Sequence, residues 1–566
     1  MSYYDDASLV FIPSGYKTSK AYSIKPTSGD GDLTFTRSND TASRIGPDGL
    51  IEKVRTNQVL QSQTFDNAAW SKIGSTITAN ATAAPDGTTT ADSNIESAAL
   101  DEHGVSQVLA ISAGLNTISV SVKANGRTRC RIGFANSSYG GMTAAQRFAY
   151  FDVSTGTVVQ NISGGLSTIV SEGNGWYRCS VSQNLVAGDA TGAIQLLFID
   201  AGVNTFYTGN GTSGLFLWGA QLETGDIATD YIATTSAAVS VGPVANVPRL
   251  DYLNSSCPRL ILEGQRTNLT AQSEDFNGWS TKVNVTTTAN YAVSPDGYTN
   301  ADRLQFTGGG FMYGTTGFNQ TNGTTYTLSC YAKRNGSGTQ SIGFFVDGSG
   351  GINSAWTLTS EWQRFTYTYT AGNTSTVGIG GASGADVSVY GFQFEVGAYA
   401  TSYIPTLGAA VTRGADAASK TSASALIGQT EGTIFWEFEF SNSVAAGHEC
   451  ILNIDNGSFG NTIYIFKGAT GSIVGEMYNG GVAQAAFSIS SRPAGTYKVA
   501  IAYANNNTAF FVNGAQVGTT DTSCSVPATS RIQLGNGVLG PSTDLTKQLL
   551  LFPTRLSNAD LAALTA

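Results

Sequence analysis

Charged residues are scarce in this sequence, and the few that occur are mostly acidic. They make up 12% of the chain and leave a net charge of −10, whereas about 25% charged residues is typical of soluble proteins. The shortage of lysine and arginine predicts no nucleic-acid partner, because phosphates require a basic surface. No apolar run is long enough to span a bilayer and no signal-like segment opens the chain, so we expect neither membrane insertion nor export by the common route.

Cysteine and histidine are also rare, which limits metal and redox chemistry. The six cysteines are scattered without a Cys-x-x-Cys pair, so we predict no disulfide framework and synthesis in a reducing compartment, the host cytoplasm. Cys179 and Cys330 lie in strand-like runs and are predicted to be buried thiols. The two histidines, His103 and His448, are far apart in sequence and are each expected to be isolated. The sequence therefore predicts no metal site and no cofactor.

The motifs of several common enzyme classes are missing as well. The chain contains no Gly-x-Ser-x-Gly elbow, zinc-binding His pair, phosphate loop or long β-helix signature. Glycoside hydrolysis needs two carboxylates about 5–9 Å apart. Glu437 and Glu439 alternate with aromatic residues on one strand, which is either such a pair or, as we favour, the solvent-facing side of a half-buried sheet. We predict that the chain is not an enzyme.

The residues that are abundant are those of turn-rich β-domains. Glycine occurs 67 times, aromatic residues form 10% of the chain, and 41% of residues are hydrophobic, enough to build cores. Residues 117–122 and 326–331 alternate between apolar and polar side chains, and Gly-, Asn- and Ser-rich turns separate such runs. With no amphipathic helix between them, these short strands predict an all-β chain of tandem β-sandwich or jelly-roll domains.

A long internal repeat organises the middle of the chain. The Arg-Thr-Asn of residues 55–57 returns at 266–268, and the Trp-x-Arg of 176–178 returns at 362–364. Lys123 corresponds to Lys333, and the second copy is shorter between this residue and its Trp-x-Arg, so it has lost a loop there. The repeat and the composition give these boundaries: an N-terminal virion-attachment segment (1–50), β-sandwich module 1 (51–235), a linker (236–259), module 2 (260–406), a second linker (407–425) and a C-terminal β-sandwich (426–566).

The C-terminal domain carries several local signals. An Asn-Gly pair, Asn513 and Gly514, is expected at the tip of a hairpin, and Ser557 is a predicted cap of a short terminal helix. The patterns at 510–514, 532–535 and 552–561 resemble the concanavalin A-like, laminin-G-like sandwich. That resemblance implies sugar binding; some members bind calcium, but no matching calcium motif stands out here.

The remaining parts resemble proteins of bacteriophage particles. Residues 266–269, 273–279 and 391–405 are similar to jelly-roll carbohydrate-binding modules of phage structural proteins. Residues 9–17, with 35–37 and 49–52, are similar to the start of phage fibre and virion-surface proteins. The resemblance implies a homo-oligomer, with a trimer favoured, that contacts other virion proteins through the N-terminal segment and is displayed on the virion surface.

Sugar binding requires an aromatic platform and polar partners for hydroxyl groups. Trp70 and Trp279 recur at matched positions after Phe-Asn-containing stretches and are the candidate carbohydrate-binding residues. The alternative for both is a structural place in the core of each module. Phe311, Met312 and Tyr313, which follow three glycines, are expected either in an exposed loop or in a buried strand.

Three functions remain open at the level of sequence. The favoured one is a structural phage virion protein, a head or tail fibre or decoration subunit, that attaches to host surface glycans. The second is a decoration protein of the capsid or tail that binds no ligand. The third is a polysaccharide depolymerase.

Overall fold

The computed structural model describes residues 2–314, 318–337, 340–346, 348, 351–440, 449–468, 471–537, 540–541 and 543–566, without the side chains of 440, 449–451 and 536–544. The predictions for His448 and for the Cys450 side chain fall outside these residues. The regular secondary structure of the described chain is almost entirely antiparallel β-sheet, with α-helices only near its two ends. The predicted all-β class is therefore confirmed.

The first half of the chain begins with one helical turn and continues in strands. Its elements are α1 (Tyr3–Asp6), β1 (Leu9–Phe11), β2 (Tyr16–Lys17), β3 (Lys20–Ala21), β4 (Leu33–Thr36), β5 (Ser43–Ile45), β6 (Ile51–Lys53), β7 (Arg55–Asn57), β8 (Ser71–Ile73), β9 (Ser75–Thr82), β10 (Ala91–Glu96), β11 (Leu100–Glu102), β12 (Gly104–Val108), β13 (Gly114–Asn125), β14 (Arg129–Ala135), a 3-10 turn (Ala144–Gln146), β15 (Phe148–Asp152), β16 (Thr157–Gln160), β17 (Leu166–Gly173), β18 (Trp176–Leu185), β19 (Ala193–Phe198), β20 (Phe206–Thr208), β21 (Gly214–Thr224) and β22 (Val239–Val241).

The second half ends in the predicted helix. Its elements are β23 (Arg249–Asp251), β24 (Arg259–Glu263), β25 (Arg266–Asn268), β26 (Thr281–Val293), β27 (Thr299–Tyr313), β28 (Thr325–Arg334), β29 (Ile342–Phe345), β30 (Ser354–Ala355), β31 (Gln363–Thr370), β32 (Gly378–Gly381), β33 (Asp386–Val396), β34 (Val411–Arg413), β35 (Ala417–Lys420), β36 (Glu431–Phe440), β37 (Glu449–Asp455), β38 (Thr462–Lys467), β39 (Ile473–Asn479), β40 (Val482–Ile489), β41 (Gly495–Ala504), β42 (Thr508–Val512), β43 (Ala515–Asp521), β44 (Arg531–Leu534), β45 (Asn536–Gly537), β46 (Gly540–Pro541), β47 (Thr543–Phe552) and α2 (Asn558–Thr565).

Two local predictions for the C-terminal domain are confirmed. Asn513 and Gly514 both have positive φ between β42 and β43, as a two-residue hairpin turn requires. The Ser557 side chain accepts a hydrogen bond from the backbone N–H of Asp560 and so caps α2.

The N-terminal segment forms part of the C-terminal sandwich. β1 pairs with β47 at one sheet, and β4 pairs with β35 in the other sheet. Leu9, Phe11, Leu33 and Phe35 are fully buried in the core shared with strands β36 to β44. The sequence places residues 1–50 in a separate attachment segment, whereas their alternating apolar side chains complete a sandwich whose other strands lie hundreds of residues away.

The two predicted linkers are also built into sheets. Within 236–259, β22 pairs with β7, and β23 pairs with β24. Within 407–425, β34 pairs with β25, and β35 lies between β4 and β44. Their small and polar side chains resemble those of a linker, but the hydrogen bonds of their backbones are used by neighbouring strands.

Five buried charged side chains meet where these segments converge. Arg249 contacts both Glu263, at 2.8 Å, and Asp416; Arg37 reaches Asp416 at 3.1 Å, and Arg413 reaches Glu263 at 2.7 Å. All five side chains are essentially inaccessible to solvent. Burial alone would raise the pKa of Glu263, but Arg413 and Arg249 outweigh it and lower that pKa to about 2. We call these five residues the charge hub.

The two modules have the same strand order, as the repeat predicts. The first sheet of module 1 runs β17-β18-β13-β21-β10-β9, and the corresponding strands of module 2 run β31-β28-β33-β27-β26. The second sheet runs β16-β15-β14-β19-β12-β8 in module 1 and β30-β29-β32-β27 in module 2. By contact density the chain forms two compact units: residues 55–242 with 298–300, and the rest, which contains module 2 and the C-terminal sandwich.

Candidate functional site

Both predicted carbohydrate-binding residues lie in the cores of their modules. Trp70 is 4% exposed and Trp279 is 2% exposed. Each indole packs on a phenylalanine, with centroids 4.7 Å apart for Phe65 and 4.8 Å apart for Phe276. Each also donates its Nε1–H to a backbone carbonyl at 3.0 Å. Neither ring offers a face to a sugar, so their prediction as sugar platforms is wrong and the core alternative holds.

We expect Trp279→Ala to lower the free energy of unfolding of module 2 by about 3–5 kcal/mol, because the large cavity left behind cannot collapse. Thermal unfolding followed by tryptophan fluorescence and circular dichroism measures the loss. Tyr291→Ala, which removes an aromatic side chain that is 45% exposed on the same module, is the control and should change stability by less than about 1 kcal/mol. Equal melting of the two variants would contradict the core placement of Trp279.

Many polar residues that recur in both modules have structural partners. Asn57 donates to the carbonyls of Ala220 and Ile232, and Asn268 donates to those of Phe392 and Ile404. The same duplication holds for further hydrogen-bonded pairs: Ser62–Tyr231 with Ser273–Tyr403, and Thr229–Glu223 with Thr401–Glu395. Residues common to both copies therefore hold the fold, and a functional site is better sought where the copies differ.

The other sequence candidates fall into structural roles. Phe311, Met312 and Tyr313 lie on β27 and not in a loop; Met312 is fully buried and the other two are half-buried. Glu439 forms an ion pair with Arg259. His103 is fully buried and both ring nitrogens lie near carbonyl oxygens, at 2.6 Å and 3.1 Å. Cys179 and Cys330 are buried, as predicted. Among the described residues, no cluster of His, Cys, Asp and Glu side chains is arranged to hold a metal ion.

Besides a longer segment between β13 and β18, module 1 differs from module 2 by an insertion nearer its end. Residues 199–213 separate β19 from β21, whereas residues 382–385 suffice between β32 and β33. The insertion contains β20, which pairs with β11 to form a separate two-stranded ribbon. In module 2 the single strand β27 runs through the region where module 1 has β10, β11 and β12. The fold does not need the ribbon, because module 2 forms without it.

The ribbon exposes apolar side chains on one face. Leu100 is 63% exposed and Phe206 is 57% exposed, and the register places both on the same side of the ribbon. Val203, in the turn before β20, is 36% exposed and has φ of 60°. Holding a β-branched residue in this left-handed region costs about 1–3 kcal/mol of folding free energy, and residues strained in this way are concentrated in functional loops.

A buried polar network fixes the ribbon to the module. Glu96 accepts hydrogen bonds from Arg127 at 2.7 and 2.8 Å, from the Tyr207 hydroxyl at 2.7 Å and from the Asn210 backbone at 2.8 Å. Burial would raise the pKa of Glu96, but these hydrogen bonds outweigh it and lower the pKa below its ordinary value. His103 contacts the Tyr207 carbonyl from the other side. The exposed apolar face is therefore held in place.

A second accessible surface lies on the outer face of the second sheet of module 1. Arg129 and Arg131 alternate along β14 and point away from the core, since Cys130 and Ile132 are buried between the two sheets. Arg129 pairs with Asp152 at 2.7 Å and donates to the Ala201 carbonyl of the insertion at 3.1 Å. This contact joins the sheet face to the loop that bears the ribbon.

Sequence reasoning missed both surfaces, although each left a trace. Arginines at 127, 129 and 131 stand in five consecutive residues of a chain with few basic residues, and alternation on a strand places the last two on one face. The ribbon could have been found by comparing the lengths of matching segments in the two copies. Exposure of Phe206 has no sequence signal, because Tyr207 beside it is buried.

Comparison with known proteins gives only distant likenesses. No family model and no curated protein matches the chain. Among solved structures, the CBM40 domain of Ruminococcus gnavus IT-sialidase matches at 20% identity and a TM-score of 0.22, covering 24% of this chain and 84% of that one. Trypanosoma rangeli sialidase matches at 16% identity and a TM-score of 0.22, covering 26% and 25% of the two chains. A SAP-like pentraxin from Limulus polyphemus matches at 11% identity and a TM-score of 0.20, covering 24% and 70%.

At these TM-scores the likenesses assign no function to the chain. Its class follows from its own strands: it is an all-β protein with several antiparallel β-sandwiches. In the part of the chain that is described, neither helix has the length and apolar character needed to cross a membrane.

Proposed function

We propose that this chain is a non-enzymatic structural protein of a phage particle, a head or tail fibre or decoration subunit, that attaches to host surface glycans. The sequence resemblance of its N-terminal segment and modules to phage proteins supports the location on the virion surface. The observation that supports glycan binding is the ribbon of module 1, which is absent from module 2 and exposes Phe206 and Leu100 on one face.

The chemistry of the ribbon suits a sugar ligand. The ring of Phe206 provides an apolar platform for the C–H face of a pyranose, and Leu100 extends it. Polar side chains stand nearby: Asp200 and Asn204 in the turn before β20, and Glu102 opposite Phe206 in the register. These groups can exchange hydrogen bonds with sugar hydroxyls, while the fixed ribbon avoids an ordering cost on binding.

One such contact is weak, so we propose that several copies act together. A homo-oligomer, with a trimer as the favoured state, multiplies the sites per particle and raises the overall affinity without new contacts. The N-terminal segment remains the proposed contact with other virion proteins. Because its strands complete the C-terminal sandwich, it would act through the outer surface of that sandwich and not as a free arm.

We expect Phe206→Ala to abolish retention on host glycans while leaving thermal unfolding unchanged within about 1 kcal/mol, since the side chain contacts mainly solvent. A glycan array and a pull-down with host surface polysaccharide measure retention. Tyr291→Ala, which removes an aromatic side chain that is 45% exposed on module 2, is the matched control and should bind like the unaltered chain.

Three other results would contradict this proposal. Equal retention by Phe206→Ala and the unaltered chain would remove the ribbon as the site, and a blank array for the unaltered chain would favour a decoration protein without a ligand. Release of new reducing ends from host polysaccharide would favour a depolymerase.

A further inference from the structure

Two arginines on the outer face of the second sheet in module 1 lack the carboxylate partners that neighbouring arginines have. Arg127 is paired with Glu96 and Arg129 with Asp152. Arg131, on the same strand as Arg129, and Arg147, just before β15, form no ion pair in the described part of the chain, which includes all of module 1. Two cations without a carboxylate partner therefore lie close together on one surface.

The two guanidinium groups are gathered around one aromatic ring. The Cζ atom of Arg131 lies 4.1 Å from the centroid of the Phe148 ring, and that of Arg147 lies 5.2 Å from it. Gly133, opposite Phe148 in the register, leaves room for the ring, because a Cβ there would lie only 2.7 Å from the ring carbon Cδ1. The stack fixes both cations at the sheet surface.

Part of each guanidinium group remains available to a ligand. Arg131 donates from Nη2 to the Gln195 side chain at 2.6 Å, and its Nη1 has no acceptor among the residues that the structure describes. Arg147 donates from Nη1 to the carbonyls of Phe134, at 3.1 Å, and Ser137, at 2.6 Å, and its Nη2 has none among those residues. The burial of Arg147 and the charge of Arg131 lower the pKa of Arg147, against the opposing influence of Tyr139. An anion placed between the two groups would relieve their mutual repulsion.

We propose that Arg131 and Arg147 bind the carboxylate of an acidic sugar in the glycan recognised by module 1. This inference rests on the proposed function and names the class of ligand. Guanidinium groups form strong paired hydrogen bonds with carboxylates. The Arg129 contact to Ala201 places this surface beside the insertion that carries the ribbon, so a single oligosaccharide meets apolar and cationic contacts on the same module. A long polyphosphate is disfavoured by the net negative charge of the chain.

The test compares an oligo-uronate with its carboxyl-reduced counterpart, using the full chain and isothermal titration calorimetry. We expect the acidic form to bind about tenfold or more tightly, as hydrogen bonds between charged groups predict. Arg131→Gln should remove this preference and leave the binding of the reduced form and the thermal unfolding unchanged. Lys123→Gln, which removes a cation stacked on Trp176 in the other sheet, is the matched control and should keep the preference.

The outcomes separate this inference from the proposed function. If both oligosaccharides bind equally and Arg131→Gln has no effect, the carboxylate site is wrong while glycan binding stands. If neither oligosaccharide binds and the glycan array is blank, the proposed glycan attachment is contradicted, and the carboxylate site with it. Binding of inorganic phosphate or a short DNA duplex as tightly as the oligo-uronate, and with the same loss in Arg131→Gln, would also overturn the assignment to an acidic sugar.

Discussion

Removing residues 1–50 is expected to unfold the C-terminal sandwich, although that domain lies at the opposite end of the chain. The deletion takes β1 from beside β47 and β4 from beside β35, so both sheets lose strand partners. It also empties the core positions of Leu9, Phe11, Leu33 and Phe35. Each such side chain contributes about 1.5–3 kcal/mol on burial, and their sum is comparable to the whole stability of a domain, about 5–15 kcal/mol.

The measurement is thermal unfolding and solubility of a chain that begins at residue 51. A chain that begins at residue 7, and so loses only α1 while keeping β1 and β4, is the control and should melt almost like the full chain. We expect the chain with the longer deletion to aggregate or to lose the cooperative unfolding transition of the C-terminal sandwich, because the deletion leaves apolar strand edges open. A chain lacking residues 1–50 that melts like the control would show that the sandwich is stable without its N-terminal strands.

Asp416→Asn is expected to destabilise the larger unit by about 3–5 kcal/mol, because it removes one charge from a buried network and leaves others without compensation. Arg37 and Arg249 both depend on Asp416 in the charge hub, and solvent cannot replace it there. Chemical denaturation followed by circular dichroism measures the change. The matched control is Asp230→Asn, since Asp230 is 88% exposed and 3.9 Å from Arg55; it should cost less than about 1 kcal/mol.

The charge hub also predicts how stability depends on pH. The pKa of Glu263 is lowered to about 2 in the folded chain, against about 4.3 for an unperturbed glutamate. A depressed pKa means that the contribution of Glu263 is present above about pH 4.3 and is lost as the pH falls toward 2. Unfolding free energy should therefore decline across this range and less steeply in Glu263→Gln. An unfolding free energy that stays constant between about pH 4.5 and 2 would contradict the charged state of the hub.

Composition and local pattern were sufficient for the fold class and for several local features. Alternation predicted the strands, the recurrence of Arg-Thr-Asn at 55–57 and 266–268 predicted two copies with one strand order, and the Asn513–Gly514 turn and the Ser557 cap formed as expected. Strands, turns and caps depend on residues that are close in sequence, and a repeat can be recognised by matching two stretches of sequence, so all of these features can be predicted without the fold.

The domain boundaries and the site did not follow in the same way. Residues 239–241 and 417–420 have the composition of linkers, yet each forms a strand whose partner is distant in sequence. Trp70 and Trp279 have the same composition signal whether they face a sugar or the core, and only burial distinguishes the two. The exposure of Phe206 depends on which face of the short ribbon its side chain lies on.

The sequence by itself determined that this chain is all-β and that two of its modules are copies. Tertiary structure decided which strands complete which sandwich, that the tryptophans are internal, and that Phe206, Arg131 and Arg147 are at the surface of module 1. The physical reason is range: propensity and periodicity act over a few residues, whereas burial, pairing of distant strands and compensation of charge are properties of residues brought together only by the complete fold.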